Sequence, residues 1–392
     1  MALHSRPSAD LAGAGGQRVA WLDIARGSCM VLVVLLHADF ALGRIEEHPQ
    51  GLYLLNLALV PLRLPLFFLV SGMLAARMLR RPAREVLRRR VLHYLWLYCL
   101  WWVLQHGFHA GLAGVTPPAL MESFESPGSI AGLLTAAVTK LWFLLALALF
   151  YLAALGLARL PAAAHMAVAI ALAVPGTLEL GEAAGLPILD RFYDYPFFAL
   201  GLTAGQQIQE AASWLGARFH RLLPCAAAWV LATIFVHRAG LLTDNLAVAG
   251  LSVLALPVGF GAAAWAAGSA RRWTGPLALI GRNTLTIYVL HPMALHLLIL
   301  LVPRPQPLPP AAWVIMVTLA AVLLSFLCGR WLGRIPGLFR LPGPGPATWL
   351  RRWGRPRTRP PSAPRRQGLL RPSHSHLLPQ TQHSRRDPAA QG

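Results

Sequence analysis

The sequence predicts an all-α integral membrane protein with about ten transmembrane helices, and two observations support this fold class. First, 56% of the 392 residues are hydrophobic and only 13% are charged, which is far less charge than a soluble protein carries. Second, apolar runs of about 17–25 residues recur along the chain, and each is long enough to cross a bilayer. We assign the spans to residues 20–41, 52–76, 91–108, 141–158, 162–178, 192–209, 222–237, 246–268, 277–302 and 311–330.

The arginines predict how these helices are oriented, because loops on the cytoplasmic side carry an excess of Lys and Arg. Seven arginines lie between the second and third spans, in residues 77–90, whereas the alternate loops hold acids such as Glu46, Glu122 and Asp190. Both termini are therefore expected in the cytoplasm, and the chain in the cell membrane. The net charge of +20 is concentrated in the predicted cytoplasmic loops and tail, where membrane topology and anionic lipids account for it. We therefore expect the lipid bilayer as a partner, and no nucleic acid.

Composition divides the chain into three parts. Residues 1–17 are rich in Gly, Ala and Ser and are expected to be disordered, as is the Pro-, Gly- and Arg-rich tail over residues 336–392. Residues 18–335 form the expected ten-helix membrane domain. The four cysteines all fall inside predicted helices without metal-site spacing, so the sequence predicts neither disulfides nor a metal centre.

The first predicted helix carries three ionisable residues, Asp23, Arg26 and His37. Arg26 and His37 are eleven positions apart, which puts them within roughly 20° of each other on the helix and roughly 16 Å apart along its axis. Ionisable groups inside a bilayer usually face a bundle interior or a cavity, so the stripe is a candidate functional site. The alternative is that Arg26 only extends to the interface and His37 is an interhelical hydrogen bonder.

Further polar residues interrupt other spans. Ser71 and Gly72 follow Pro65 in the second, and their ordinary role would be close helix packing. Trp142 begins the fourth span at the predicted outer end, where Trp is common as an interface anchor. The ninth span carries Asn283 near its inner end and His291 beyond its midpoint, as is typical of a helix that lines a cavity.

Four stretches together resemble the acyltransferase-3 family of integral membrane O-acyltransferases. They are Leu22-Asp-x-x-Arg-Gly extended to His37, Pro65-Leu-Phe-Phe-Leu-Val-Ser-Gly72, Leu141-Trp-Phe-Leu144, and Ile280-Gly-x-Asn-x-Leu-x-Ile-Tyr-x-Leu-His291. The match covers the ten-helix region and leaves out the tail. The spacing from Arg26 to His37 is its most specific element.

The resemblance implies transfer of an acyl group, most often acetyl from acetyl-CoA, onto a hydroxyl of a glycan or other small molecule. Arg26 and His37 match the essential pair of the family, with Asp23, Ser71, Trp142, Asn283 and His291 as supporting residues. Donor-binding arginines are expected near the start of the third helix, where this chain has Arg88, Arg89 and Arg90. The chain departs from the family pattern there, because position 87 is Leu and the expected proline is His93.

These elements suggest a mechanism. Arg26 and the basic loop would hold the phosphates of CoA, and His37 would accept the proton of the acceptor hydroxyl. His291, Trp142 and Asp194 lie at a similar predicted depth and are candidates to line the acceptor side or to orient His37. The alternative function is a proton-coupled transporter, which also uses ionisable residues inside a helical bundle.

Overall fold

The computed structural model describes residues 19–46, 49–124, 140–184, 189–269 and 274–342, and within these ranges the chain is helical without strands. The chain divides into two compact units, Met1–Pro342 and Gly343–Gly392, and the second lies outside the described residues. The predicted disorder of residues 1–17 likewise falls outside them. The predicted tail begins at residue 336, so the described part includes only its first seven residues, 336–342.

The first half of the described chain contains the helices that carry most of the predicted site. They are α1 (Ala20–Leu42), α2 (Gln50–Ala58), α3 (Val60–Leu79), α4 (Ala83–Val86), α5 (Leu92–Leu112), α6 (Pro118–Met121), α7 (Trp142–Gly156) and α8 (Ala162–Thr177), and a π-helix, Leu87–Val91, joins α4 to α5.

The second half completes the bundle. Its helices are α9 (Leu180–Ala183), α10 (Tyr195–Thr203), α11 (Gly205–Gly216), α12 (Leu222–Arg238), α13 (Asn245–Gly268), α14 (Thr274–Arg282), α15 (Thr284–Leu301) and α16 (Pro310–Leu332), with 3₁₀ turns at Leu189–Asp194 and Phe219–Arg221.

Among the described residues, six helical stretches are long and apolar enough to cross a membrane. They are Ala20–Leu42, Gln50–Leu79, Phe219–Arg238, Asn245–Gly268, Thr284–Leu301 and Pro310–Leu332. Helices α7 and α8 are apolar but shorter. The chain is therefore an all-α membrane protein by length and composition, whereas the count of ten spans and the location of the termini stay predictions.

Two helix breaks position the candidate site. Helices α2 and α3 meet at Leu59. Pro61 lies in the first turn of α3, where the backbone N–H that proline lacks would have no partner within the helix. Helices α14 and α15 meet at Asn283, whose Nδ2 donates to the Leu279 carbonyl at 2.8 Å. The second break presents Thr284, the first residue of α15, toward α1.

Glycines bring the functional helices into backbone contact. A Cβ at Gly27 of α1 would collide with the Leu277 carbonyl of α14, and one at Gly281 would collide with the Asp23 carbonyl. Gly72 of α3 and Gly201 of α10 approach the opposite backbones, at Phe198 and Leu69, in the same way. Small residues allow such approach between membrane helices. These two seams fix α1 and α3, which carry most of the candidate site.

Candidate active site

One cavity of about 580 Å³ contains both predicted catalytic residues, Arg26 and His37. Side chains from α1, α3, α5, α7 and α15 line it. The cationic members of the described lining are Arg26, Arg63, Arg77, Arg81, Arg90 and Lys140, and no Asp or Glu belongs to it. A cavity with this charge favours a polyanionic ligand.

His37 is held against a second histidine. The ring of His291 stacks on it with centroids 5.2 Å apart and an interplanar angle of 28°. His291 Nδ1 lies 2.7 Å from the Tyr288 carbonyl oxygen, and because a carbonyl only accepts, this nitrogen carries the proton of a neutral ring. His291 is fully buried and lies behind His37, outside the cavity lining. It can therefore orient the His37 ring without itself facing a ligand.

Arg26 is fixed in the cavity wall by α15 and α3. Its Nη2 donates to Thr284 Oγ1 at 2.6 Å, and its guanidinium lies 5.7 Å from the centroid of the Phe67 ring. The break at Asn283 supplies Thr284 for this contact. Because Arg26 lines the same cavity as His37, the two residues predicted on one helical stripe do face one space.

Arg63 also lines the cavity, although it belongs to none of the predicted site residues. It is only 2% exposed, and its Nη2 lies 3.1 Å from Asn56 Oδ1 and 3.3 Å from the Asn56 carbonyl. Asn56 in turn donates to Asp39 Oδ2 at 2.7 Å, so a carboxylate supports the buried cation through one amide. The available signal was an arginine inside an apolar span, which is rare without a function.

The far end of the cavity is closed by Lys140 and Tyr288. Lys140 Nζ lies 4.8 Å from the Phe124 ring centroid and donates to the Ser123 carbonyl. The Tyr288 hydroxyl donates to the Lys140 carbonyl at 2.5 Å and accepts from the Phe143 amide at 3.2 Å. Burial, together with the charge of Arg44, lowers the pKa of the Lys140 ammonium to about 8. This cation was also absent from the predicted site.

At its other end the cavity continues into a basic cleft of about 880 Å³. The two spaces share Met78, Arg81, Arg90 and His93 as lining residues. Arg88 and Arg89, predicted to bind the donor, line the cleft, as do Arg84 and Arg340. Within this cleft Glu85 pairs with Arg81 at 2.5 Å and with Arg89 at 2.9 Å.

The predicted donor arginines sit on the π-helix. Residues Arg88, Arg89 and Arg90 lie in Leu87–Val91, where an i to i+5 turn replaces the ordinary helical one. Arg90 alone of the three lines both the cavity and the cleft, and its guanidinium lies 5.9 Å from the Tyr151 ring centroid. Of the two departures from the family pattern, Leu87 is the first residue of this π-helix, and His93 lies just beyond its end, in α5.

Residues 337–342 lie along α5 and form one wall of the basic cleft. We name this segment the strap. The indole N–H groups of Trp96 and Trp101 donate to the Gly337 and Leu338 carbonyls at 2.8 Å and 3.0 Å. The Leu341 amide donates to His93 Nδ1 at 3.3 Å. The strap thereby holds Arg340 beside the arginines of the π-helix.

The sequence from residue 19 to 330 matches the family profile of an acyltransferase domain, which covers α1 to α16 almost to its end. The chain belongs to the acyltransferase-3 family. The inner membrane protein YcfT of Escherichia coli (strain K12) is 26% identical over 293 residues, which cover 70% of this chain and 79% of that relative. No solved structure matches the chain.

The acyltransferase-3 motifs divide between the cavity wall and its surroundings. Ser71 and Trp142 line the cavity, and Ser71 Oγ also donates to the Phe67 carbonyl at 2.8 Å. Asp23 is buried where α1 meets Gly281, and Asn283 is the residue at the helix break; neither lines the cavity. Their predicted supporting role would act through the position of α1 against α14 and α15.

Proposed function

We propose that this acyltransferase-3 protein is a membrane O-acyltransferase. It transfers an acyl group, and specifically acetyl from acetyl-CoA, to a hydroxyl of an extracytoplasmic glycan or other small molecule. One observation carries the proposal. A single cavity joins His37 at one end to an arginine-lined cleft at the other, and its described lining has no acidic side chain. That is the arrangement that a polyanionic donor with a reactive thioester requires.

The basic cleft suits the phosphates of CoA. Arginine forks bind phosphate oxygens through paired hydrogen bonds, and Arg84, Arg88, Arg90 and Arg340 surround one space. From there the pantetheine arm would run through the cavity past Arg26 toward His37. The two residues are roughly 16 Å apart along continuous α1, about the length of that extended arm.

His37 supplies the base in this proposal. Its imidazole takes the proton of the acceptor hydroxyl while the hydroxyl oxygen attacks the thioester carbon. As the new C–O bond forms and the C–S bond breaks, the proton passes from His37 to the leaving sulfur, which gives the acyl ester and free CoA thiol. Stacking on His291 holds the His37 ring in place.

Release of CoA thiol by the purified full-length chain in lipid nanodiscs tests the proposal. Acetyl-CoA should bind, and thiol should appear with water or an added polyol as acceptor, without any ion gradient. His37→Ala should reduce thiol release about 10²–10⁴-fold, the usual worth of a general base, while acetyl-CoA still binds. His237→Ala removes an exposed histidine of α12 and serves as the matched control.

A proton-coupled transporter predicts a different outcome. Neither binding of acetyl-CoA nor thiol release would then be observed in nanodiscs, which enclose no compartment. Wild-type turnover by correctly folded His37→Ala protein would overturn the assignment of the base, and His291 would be the next residue to test.

A further inference from the structure

A third cavity adjoins the main one and has the opposite charge. We name it the outer pocket; its volume is about 330 Å³. Val60, Leu64 and Trp142 line both spaces, so these three side chains form the partition between them. The remaining lining comes from the ends of helices on the predicted outer side, namely Pro65, Gly176, Glu179, Asp190, Arg191, Tyr193, Asp194, Asn245 and Val248.

The two sides of the partition differ in charge. The outer pocket has three carboxylates, Glu179, Asp190 and Asp194, and a single cation, Arg191. The described lining of the main cavity has six cations and no carboxylate. Clefts lined by one sign of charge concentrate ligands of the other sign and repel those of their own. A polyanionic donor therefore belongs on the cationic side of the partition, in the basic cleft and the main cavity, and the outer pocket suits a different ligand.

Asp194 is the carboxylate left to contact that ligand. Asp190 accepts from the Gly181 amide at 2.9 Å, and Glu179 accepts from Asn245 Nδ2 at 3.1 Å. Asp194 is 6% exposed and is the N-cap residue of α10, but its side chain makes no capping hydrogen bond, and no hydrogen bond or ion pair joins it to another side chain of the described ranges. Because Asp194 lines the outer pocket, a donor group of a bound ligand could form a hydrogen bond with its carboxyl oxygens.

Arg191 packs against the Trp142 side chain of the partition from within the outer pocket. The Arg191 guanidinium lies 5.2 Å from the Trp142 ring centroid, a cation–π distance, and the Phe68 ring centroid lies 6.3 Å from that of the same indole. A hydroxyl that passes this pair enters the space that His37 lines.

We infer that the outer pocket binds the acyl acceptor, that Asp194 receives a hydrogen bond from it, and that the acceptor is a neutral or cationic polyhydroxylated molecule rather than an anionic one. The inference rests on the proposed function and adds the place and charge class of the acceptor. Carboxylates accept hydrogen bonds from hydroxyl and ammonium groups, whereas a carboxylated or phosphorylated acceptor would face like charge.

Two sugars that differ by one charge test the inference. The full-length chain in nanodiscs is given labelled acetyl-CoA with methyl glucoside or with methyl glucuronoside, and labelled ester is measured. Methyl glucoside should have a kcat/KM at least about tenfold higher, because like-charge contact disfavours the wrong partner. Asp194→Asn should bring the ratio of the two kcat/KM values closer to one, and Asp194→Lys should make methyl glucuronoside the better acceptor. Glu210→Gln, which neutralises an exposed acid of α11 outside both cavities, should keep the wild-type ratio.

Failure of the inference is distinguishable from failure of the proposed function. Wild-type thiol release without sugar, combined with equal transfer to both sugars or to neither, would overturn the inference and leave the acyltransferase activity standing. An unchanged ratio in folded Asp194→Lys protein would overturn it as well. Absence of both acetyl-CoA binding and thiol release would instead refute the proposed function.

Discussion

Arg26 and His37 lie on one helix but have different partners, and this separates what each can contribute. Arg26 is tied to Thr284 and faces the cavity on the side of the basic cleft, whereas His37 stacks on His291. Removal of a group that binds the donor equally in the ground state and the transition state weakens donor affinity. Removal of a base lowers turnover, because a base acts mainly in the transition state. Substitutions at the two positions should therefore alter different kinetic constants.

We expect Arg26→Ala to weaken acetyl-CoA binding and to leave turnover at saturating donor largely intact. A charge-assisted hydrogen bond is worth about 1.5–3 kcal/mol, or about 10- to 150-fold in Kd. Arg26→Lys should recover only part of the affinity, because an ammonium lacks the two-pronged geometry. Calorimetric titration of folded variants measures this.

Thr284→Val tests whether the hydrogen bond to Thr284 positions Arg26 for the donor. It removes the hydroxyl that accepts from Arg26 and keeps the side-chain shape. It should raise Kd in the same direction by a smaller factor. Unchanged donor affinity in Arg26→Ala would show that this arginine serves only the packing of α1 against α15.

We expect Lys140 to give the proposed reaction a pH dependence of its own. Burial and Arg44 lower the pKa of its ammonium to about 8, so the charge is present near pH 7 and lost as pH rises past that value. If this cation stabilises the oxyanion that forms when the thioester is attacked, turnover should fall between about pH 7 and pH 9. Thiol release measured over that range, at saturating donor, gives the profile.

Lys140→Arg separates the charge of Lys140 from other titrations, because a guanidinium stays protonated over the same range. The fall in turnover above about pH 8 should disappear in this variant. The same fall in both proteins would assign the titration to another group.

At the scale of elements, the strap and the π-helix together build the basic cleft. The π-helix supplies Arg88, Arg89 and Arg90, and the strap supplies Arg340 from more than two hundred residues along the chain. Three hydrogen bonds and the contact of Phe339 with Trp101, at 5.3 Å between ring centroids, fix the strap on α5. The beginning of the predicted tail thus lies in the candidate donor site.

Two truncations test the strap. A chain that ends at Pro342 keeps the strap and should retain donor affinity within a few-fold, as we expect for the basic tail beyond it. A chain that ends at Pro336 loses Arg340 and the three hydrogen bonds to α5, and its Kd for acetyl-CoA should rise at least about tenfold.

Arg340→Ala in the full chain removes the charge of Arg340 and keeps the packing of the strap on α5. It should reproduce part of the loss of acetyl-CoA affinity. Equal affinity in the two truncated proteins would remove the strap from the donor site.

The sequence predicted the helices and the stripe of α1 because both are local patterns. Hydropathy marks each helix within its own residues, and the spacing of Arg26 and His37 follows from helical geometry alone. The Arg63–Asn56–Asp39 chain, Lys140 and the strap depend on how distant elements meet, so no single stretch signals them. The family, by contrast, could be predicted because its motifs are short and fixed in order, and the family match confirms it.

At the scale of the whole molecule, charge varies along one direction of the bundle. The basic cleft lies where α3 ends and α5 begins, the cationic cavity follows, and the acidic outer pocket lies where α7 and α10 begin. A cytoplasmic donor and an extracytoplasmic acceptor require that the first of these faces the cytoplasm. The proposed transfer therefore requires one orientation of the chain in the membrane.

Labelling of single cysteines in intact cells tests that orientation. In a background without Cys29, Cys99, Cys225 and Cys328, Ala119→Cys at an exposed position of α6 should react with a membrane-impermeant maleimide from outside, and Ala83→Cys, also exposed, should react only after lysis. Helix α5 separates these positions and is about 32 Å long for its 21 residues, which is enough to cross the hydrocarbon core. The reverse pattern would point the basic cleft away from cytoplasmic acyl-CoA. Labelling of both sites from outside would show that α5 does not cross the membrane, and either result would exclude transfer across the bilayer along the path from the basic cleft to the outer pocket.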